Sequence, residues 1–372
     1  MRKLPLRGEK WCCNMEKDDR VQMGQGAGGE LMQELLRDIV LPRLRKGVPI
    51  DRGGLDAELL DDSASVGDLA FTIDAHTIWP LEFPGGDIGS LSVCGTVNDL
   101  AVVGAVPEAM ALSMVIEEGL PIDTLERISD SLGAAALKAG VRIITGDTKV
   151  VESGGIKGMI TSTAGIGYRH PSLMECLSLA RVNELERPKG QSWLRDDSVR
   201  PSDHIILTGH VGDHGIALVS FREGYGFDTD VSSDVAPLNG LMDRSIREGG
   251  VAAAKDLTRG GLANALNEWA SKSGHGIEVQ ESEIPVRDAV LSACDMLGFD
   301  PFEIGNEGKA ILAVADGMEE EVLKQIRREP LGRNAAIIGR VIEGKSRVVL
   351  ETSIGGKRIM DPPYGDPVPR IC

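Results

Sequence analysis

Four aspartates, Asp62, Asp74, Asp99 and Asp147, recur beside small residues at the expected ends of strands or helices. Any one of them would ordinarily be a solvated turn residue or a helix cap. Together they form a set of hard oxygen ligands of the kind that holds Mg²⁺, an ion that keeps several waters and bridges a few carboxylates to substrate phosphates. Spacing alone leaves both readings open. If nucleotide chemistry is present, an enzyme other than a Walker-type NTPase is expected.

A second reactive group stands at Cys372, after Pro362, Pro363, Pro367 and Pro369. Proline fixes φ and disfavours helix in the residue before it, so this stretch is expected to be extended. From Asp361 to Cys372 it could reach roughly 30 Å, an arm with a thiol at its tip. The alternative is a frayed terminus with an incidental cysteine. Gly24-Gln25-Gly26-Ala27-Gly28-Gly29 precedes a run with Leu31, Met32, Leu35, Leu36, Ile39 and Val40 at helical spacing. A glycine loop entering a helix can bind phosphate through backbone N–H groups, and a flexible linker is the competing reading. His210 and His214 flank glycines and read as turn residues rather than a metal pair.

The elements that must position these groups follow from pattern. The chain has 372 residues, 42% hydrophobic, enough for two domains and a substantial core. Its net charge of −17 argues against a nucleic-acid surface. Six cysteines without a Cys-x-x-Cys pair give no disulfide framework, and no apolar run has the length of a membrane span, so a cytoplasmic protein is expected. Leu69–Ile73 reads as a strand leading to Asp74-Ala75-His76. Asp87 is placed to cap a helix carrying Leu91, Cys94 and Val97, with Cys94 on its core side. Glu108–Ile116 alternates as a strand. Pro121 and Gly140 bracket a helix. Val141–Thr145 leads into Gly146-Asp147-Thr148-Lys149.

Residues 171–203 carry three prolines and no sustained apolar period, and mark a boundary. The organisation expected is a disordered extension (1–20), an N-terminal α/β domain (21–170), a linker (171–203), a C-terminal α/β domain (204–360) and a tail (361–372). In the second half, Ala254–Gly261 reads as a compact polar loop before a helix, and Gly305-Asn306-Glu307-Gly308-Lys309 joins a helix to a strand. A cleft between two such α/β (α+β) domains is a natural site.

These motifs together resemble the HypE family of hydrogenase maturation proteins, within the aminoimidazole ribonucleotide synthetase superfamily. The resemblance rests on Phe83–Gly89, Gly95–Ala101, Gly146–Val151, Ser233–Asn239, Asp256–Ala263, Gly305–Lys309 and the terminal Pro369-Arg370-Ile371-Cys372, and runs from about residue 24 to the end. It implies the two-domain fold of that superfamily with a mobile C-terminal tail, usually a homodimer formed through the N-terminal domain. It implies that a partner, HypF, places a carbamoyl group on Cys372, and that ATP is used to dehydrate it to a thiocyanate. The cyanide then passes to iron on the HypC–HypD complex, for the nickel–iron hydrogenase centre. By motif, Asp62, Asp74, Asp99 and Asp147 would hold Mg²⁺ and the ATP phosphates, with Asn98 and Gly146 nearby and Gly28 and Gly29 near the phosphates. Lys149 and Glu307 correspond to the family's functional pair, Glu307 accepting an amide proton and Lys149 offsetting negative charge. His76, Asp256 and Arg259 are further candidates. Two stretches depart from the pattern: the N-terminal extension and the region around Leu173–Asp196. The competing readings are another ATP-dependent enzyme of the superfamily and a non-catalytic carrier or scaffold.

Overall fold

A computed structural model describes residues 20–26, 28–44, 54–181, 187–222 and 230–363. The expected extension, apart from Arg20, and the tail beyond Pro363 with Cys372 lie outside the described residues. The first half begins with a short helix α1 (Gly29–Glu34). It then builds a five-stranded sheet from β1 (Ala64–Val66), β2 (Leu69–His76), β3 (Ala105–Glu117), β4 (Arg142–Val151) and β5 (Met159–Arg169). Its order is β1-β2-β5-β3-β4, antiparallel except for the parallel β3–β4 pair. One face carries α2 (Ile88–Val102) and α3 (Ile122–Ala139).

Local chemistry accounts for these helices. At the start of α2 the Asp87 carboxylate accepts the Ser90 N–H at 2.8 Å, and the Asp87 N–H donates to Ser90 Oγ at 3.0 Å, a reciprocal cap. At the end of α3, Gly140 takes φ 71°, where a side chain would be strained. Helix α2 is buried on nearly all sides because it lies between the two domains.

The second half forms a seven-stranded sheet. Its elements are α4 (Leu173–Leu179), β6 (His204–Leu207), α5 (Asp213–Phe221), α6 (Asn239–Glu248), β7 (Val251–Asp256), α7 (Gly261–Ser273), β8 (Gly276–Gln280), α8 (Asp288–Leu297), β9 (Ala310–Val314), α9 (Glu319–Ile326), β10 (Ala336–Ile342), β11 (Val348–Glu351) and β12 (Lys357–Met360). The order is β12-β11-β8-β10-β6-β9-β7, antiparallel except for β8–β11. Both sheets are therefore mixed and largely antiparallel. The alternation of strands and helices in the sequence does not reveal that.

Two expectations need correction and a third needs detail. Residues 171–203 run between the two halves but are packed: Leu173, Cys176, Leu177, Trp193, Leu194 and Val199 are buried, and Arg187 forms an interior two-pronged pair with Asp203 at 2.6 and 2.9 Å. The segment is core without periodicity, since its apolar residues point inward from irregular backbone. Asp147 is not at a strand end: Gly146–Lys149 form the middle of β4, an edge strand paired to Leu112–Val115. Ala254–Asp256 is strand β7 rather than loop.

Candidate active site

The domains meet at a cleft of about 420 Å³ lined by Asp62, Asp74, His76 and Asp99 from the first half and Asp256, Arg259, Glu268 and Glu307 from the second. Asp99 comes from α2 and Asp256 from the end of β7, so the docking of the two domains creates the site. Asp62, Asp99 and Asp256 can each offer a carboxylate oxygen within 4.8 Å of the others. Thr72 Oγ1 donates to Asp99 Oδ2 at 2.8 Å and lies 3.1 Å from the Asp62 carbonyl, which holds the Asp99 carboxylate against the backbone of Asp62. Asp74 lies beside them, accepting from Thr96 Oγ1 at 3.0 Å.

The electrostatics follow from burial. Burial, then the neighbouring carboxylates Asp74, Asp256 and Asp62, pushes Asp99 well above the ordinary range. Burial and Asp62 do the same to Asp256, whose Oδ2 has no hydrogen-bond partner. Burial lifts Asp62 to about 6 against the pull of Lys255. Like charges packed in a low-dielectric site favour protonation or a bound cation.

Behind the trio lies a buried ionic network that the motifs did not signal. Lys255 Nζ reaches Asp62 at 2.6 Å, Glu268 at 3.1 Å and Asp196 at 3.3 Å. Lys272 meets Asp196 at 2.6 Å, and Trp269 Nε1 donates to the same carboxylate at 2.8 Å. Burial opposes the charge on Asp196, but the two lysines and these hydrogen bonds hold its carboxyl below the usual range. Burial and Asp196 push Asp61 up to about 8. The available signal was the run Val251-Ala252-Ala253-Ala254-Lys255-Asp256: charges closing an apolar strand need buried partners.

Glu307 is aimed into the cleft by its loop. Its N–H donates to Asp234 Oδ1 at 2.9 Å, and Asn306 Oδ1 accepts the Gly212 N–H at 2.8 Å. Burial, then Asp256 and Asp234, raises the Glu307 carboxyl well above its ordinary value. His76 is buried beside Asp74, and burial lowers its pKa.

The remaining expected residues divide. Gly28 lines the cleft with φ 85°, where a Cβ would come within 2.9 Å of Arg259 Cβ. Gly29 is adjacent and buried. Asn98 does not face the cleft chemistry. Its amide donates to the Ala236 and Glu307 carbonyls at 3.1 and 3.3 Å and accepts the Leu238 N–H at 2.7 Å, tying α2 to the second domain. Gly146, Asp147 and Lys149 do not line the cleft of their own chain. Asp147 and Lys149 are 66% and 71% exposed on β4 and 3.8 Å apart, so the fourfold aspartate set is not gathered within one chain. His214 is buried in α5 with Nδ1 2.7 Å from Ser233 Oγ, a packing role rather than a metal pair with His210.

One sequence pattern is a formal decoy. Gly339-Arg340-Val341-Ile342-Glu343-Gly344-Lys345-Ser346 has the spacing of a phosphate-binding Walker loop, but Gly339–Ile342 continue β10 and the chain turns straight into β11. No helix N-terminus follows to receive a phosphate.

Comparisons agree with this architecture. Residues 56–168 match the N-terminal domain, and residues 200–351 the C-terminal domain, of the AIR synthase related proteins. The chain is 47% identical over 352 residues to a hydrogenase expression/formation protein of Methanocaldococcus jannaschii, covering 93% of this chain and 98% of that protein. It is 43% identical over 358 residues to carbamoyl dehydratase HypE of Rhizobium leguminosarum bv. viciae, covering 95% of each. Among solved structures, a HypE–HypF complex aligns with TM-score 0.78 at 36% identity, covering 88% of this chain and 99% of that one. HypE in complex with ATP aligns with TM-score 0.74 at 38% identity, covering 94% and 99%. A shared two-domain architecture, a carboxylate cleft between the domains and identity across nearly the whole length place this chain in the HypE family of carbamoyl dehydratases, within the AIR synthase related proteins.

Proposed function

We propose that this carbamoyl dehydratase consumes ATP in the interdomain cleft to convert an S-carbamoyl group on Cys372 into a thiocyanate. The observation that carries the reading is the convergence of Asp62, Asp99, Asp256 and Glu307 on one buried cleft from both domains. The carboxylate trio fits a magnesium ion: three oxygen donors are close together, and the buried Asp256 Oδ2 lacks a partner. Asp62, Asp99 and Asp256 would hold it, with Asp74 adjacent. Bound there, the ion would offset the phosphate charge of ATP. Met32, Leu36, Leu60 and Ile73 supply an apolar wall for the base, and the Gly28–Gly29 loop lies on the same cleft.

The chemistry needs the amide oxygen to leave as part of a good leaving group. Transfer of the terminal phosphoryl group of ATP to that oxygen forms an O–P bond and releases ADP. Loss of both N–H protons then breaks the C–O bond, forms C≡N and expels phosphate. Glu307, which lines the cleft and whose proton affinity burial raises, would accept one of these protons.

Lys149 enters from a second copy. The outer face of the first sheet leaves Phe71 and Ile73 exposed, and Ile73 and Ala75 also border the cleft. An apolar patch of this kind marks an interface. A homodimer on that face would bring Asp147 and Lys149 of one chain toward the cleft of the other. HypF would load Cys372 and the HypC–HypD complex would receive the cyanide. A cytoplasmic setting suits the buried free thiols Cys94, Cys176 and Cys294; no helix among the described residues is long and apolar enough to cross a membrane. The test is ATP stoichiometry on Glu307→Gln. The wild type should consume one ATP per carbamoyl group converted, whereas the variant should bind ATP, accept the carbamoyl group and leave it unconverted. Full conversion by the variant would remove Glu307 from the reaction.

A further inference from the structure

The chain leaves its last strand along the edge of the cleft. Met360, at the end of β12, is buried, and its carbonyl accepts Asn267 Nδ2 of α7 at 2.8 Å. Three residues later, Pro363 is buried at the start of the same helix. Its seat is made by two missing side chains. A Cβ on Gly29 would lie 2.5 Å from the Pro363 carbonyl oxygen, and one on Gly260 would lie 3.0 Å from Pro363 Cγ. Both glycines have positive φ, 67° and 78°, so backbone shape and space are set together. Gly29 adjoins Gly28 and Gly260 adjoins Arg259, and both Gly28 and Arg259 line the cleft. The segment from Met360 to Pro363 is thus laid along α7 from Asn267 to Gly260 and stops at the cleft rim.

We infer that Pro363 is a positioning residue, the fixed root that tethers Cys372 at the rim of the cleft. The inference rests on the dehydratase reading above and adds where the arm is held. Residues 364–372 can span at most about 30 Å, so a root at the rim keeps the thiol within reach of the cleft. Proline suits the role because its ring restricts the unfastened chain as well as the fastened one. Freeing the root would require residues 361–363 to be ordered again at each docking. Even part of that entropy is worth on the order of tenfold in docked population. Lengthening the arm beyond an intact root should matter much less. Three added residues dilute the tip by only about 1.5-fold on chain statistics.

The test compares Pro363→Gly with a Gly-Ser-Gly insertion between Pro363 and Tyr364, each in the full-length chain loaded with the carbamoyl group. Single-turnover conversion should slow about tenfold in Pro363→Gly and less than about twofold in the insertion. ATP affinity and the extent of loading should match wild type in both. Equal rates for wild type and Pro363→Gly, or an insertion as slow as Pro363→Gly, would overturn the inference. A second readout does not depend on the chemistry: the rate of disulfide formation between Cys372 and a cysteine introduced by Met32→Cys in the cleft wall, in a Cys12→Ser, Cys13→Ser background. It should fall by the same factor in Pro363→Gly. If the wild type fails to convert its carbamoyl group but this rate still falls, the dehydratase reading is lost and the root stands; an unchanged rate removes the root.

Discussion

Asp99 and Asp256 reach the same cleft from different domains, and each is pushed toward protonation by burial and by neighbouring carboxylates, Asp99 by Asp74, Asp256 and Asp62, and Asp256 by Asp62 and Asp74. Such a pair opposes domain docking until a cation arrives. Replacing either with asparagine should weaken Mg-ATP binding by at least about 10–100-fold. The same change should leave the ligand-free melting temperature equal or higher, because a buried like-charge contact is removed. Calorimetric titration and thermal melts on Asp99→Asn and Asp256→Asn check both directions. A large fall in ligand-free stability would instead make the pair structural.

A mixed dimer tests the assignment of Lys149 to the neighbouring cleft. Lys149→Ala and Glu307→Gln should each be inactive alone. Mixed at equal amounts with exchange of subunits, half the dimers contain one of each, and one of their two sites is intact. Activity should return to about a quarter of wild type. No recovery, with exchange verified by mass, would confine Lys149 to its own chain.

Asp234 and Lys309 form a buried pair at 3.0 Å. Burial works against the Asp234 charge, but Lys309, the Glu307 N–H and His214 outweigh it, and the folded pKa lies below the ordinary value. A depressed carboxyl stabilises the fold above its unfolded pKa, about 3.9, and that contribution is lost as pH falls through the folded value. Asp234→Asn should therefore cost roughly 3 kcal/mol at pH 7, where Lys309 is left buried without its partner. The difference from wild type should shrink below about pH 4. Urea melts at neutral and acidic pH measure it.

Trp193 is fully buried among Leu194, Leu173 and Ile206. If residues 187–203 are core, Trp193→Ala should destabilise by about 3–5 kcal/mol. A change under about 1 kcal/mol would return the segment to the status of a tether.

What the sequence discloses follows from how local each signal is. Asp87 as a helix cap, and Pro121 and Gly140 as the brackets of a helix, are read correctly because caps depend on a few neighbouring residues. Asp62 and Asp99 are legible as acidic groups at element ends, but the trio's third member, Asp256, joins them only through domain docking, which leaves no local pattern. Lys255 is hidden for the same reason, since its partners Asp62, Asp196 and Glu268 come from three separate stretches. Trp193 and Leu194 have no period because they enter the core from irregular backbone. The placing of Asp147 and Lys149 on an exposed edge is invisible without the sheet order, and the Gly339–Ser346 pattern makes no phosphate site because it specifies spacing and not the helix that must follow. Pro363 reads as a tail residue until its seat on Gly29 and Gly260 is in view.

The most direct measurement is the intact mass of carbamoyl-loaded protein before and after Mg-ATP, with the modified peptide sequenced. The account predicts loss of one water, mapped to Cys372 and absent without ATP. Full loading and full nucleotide occupancy with no change in mass would contradict it and leave the chain a carrier.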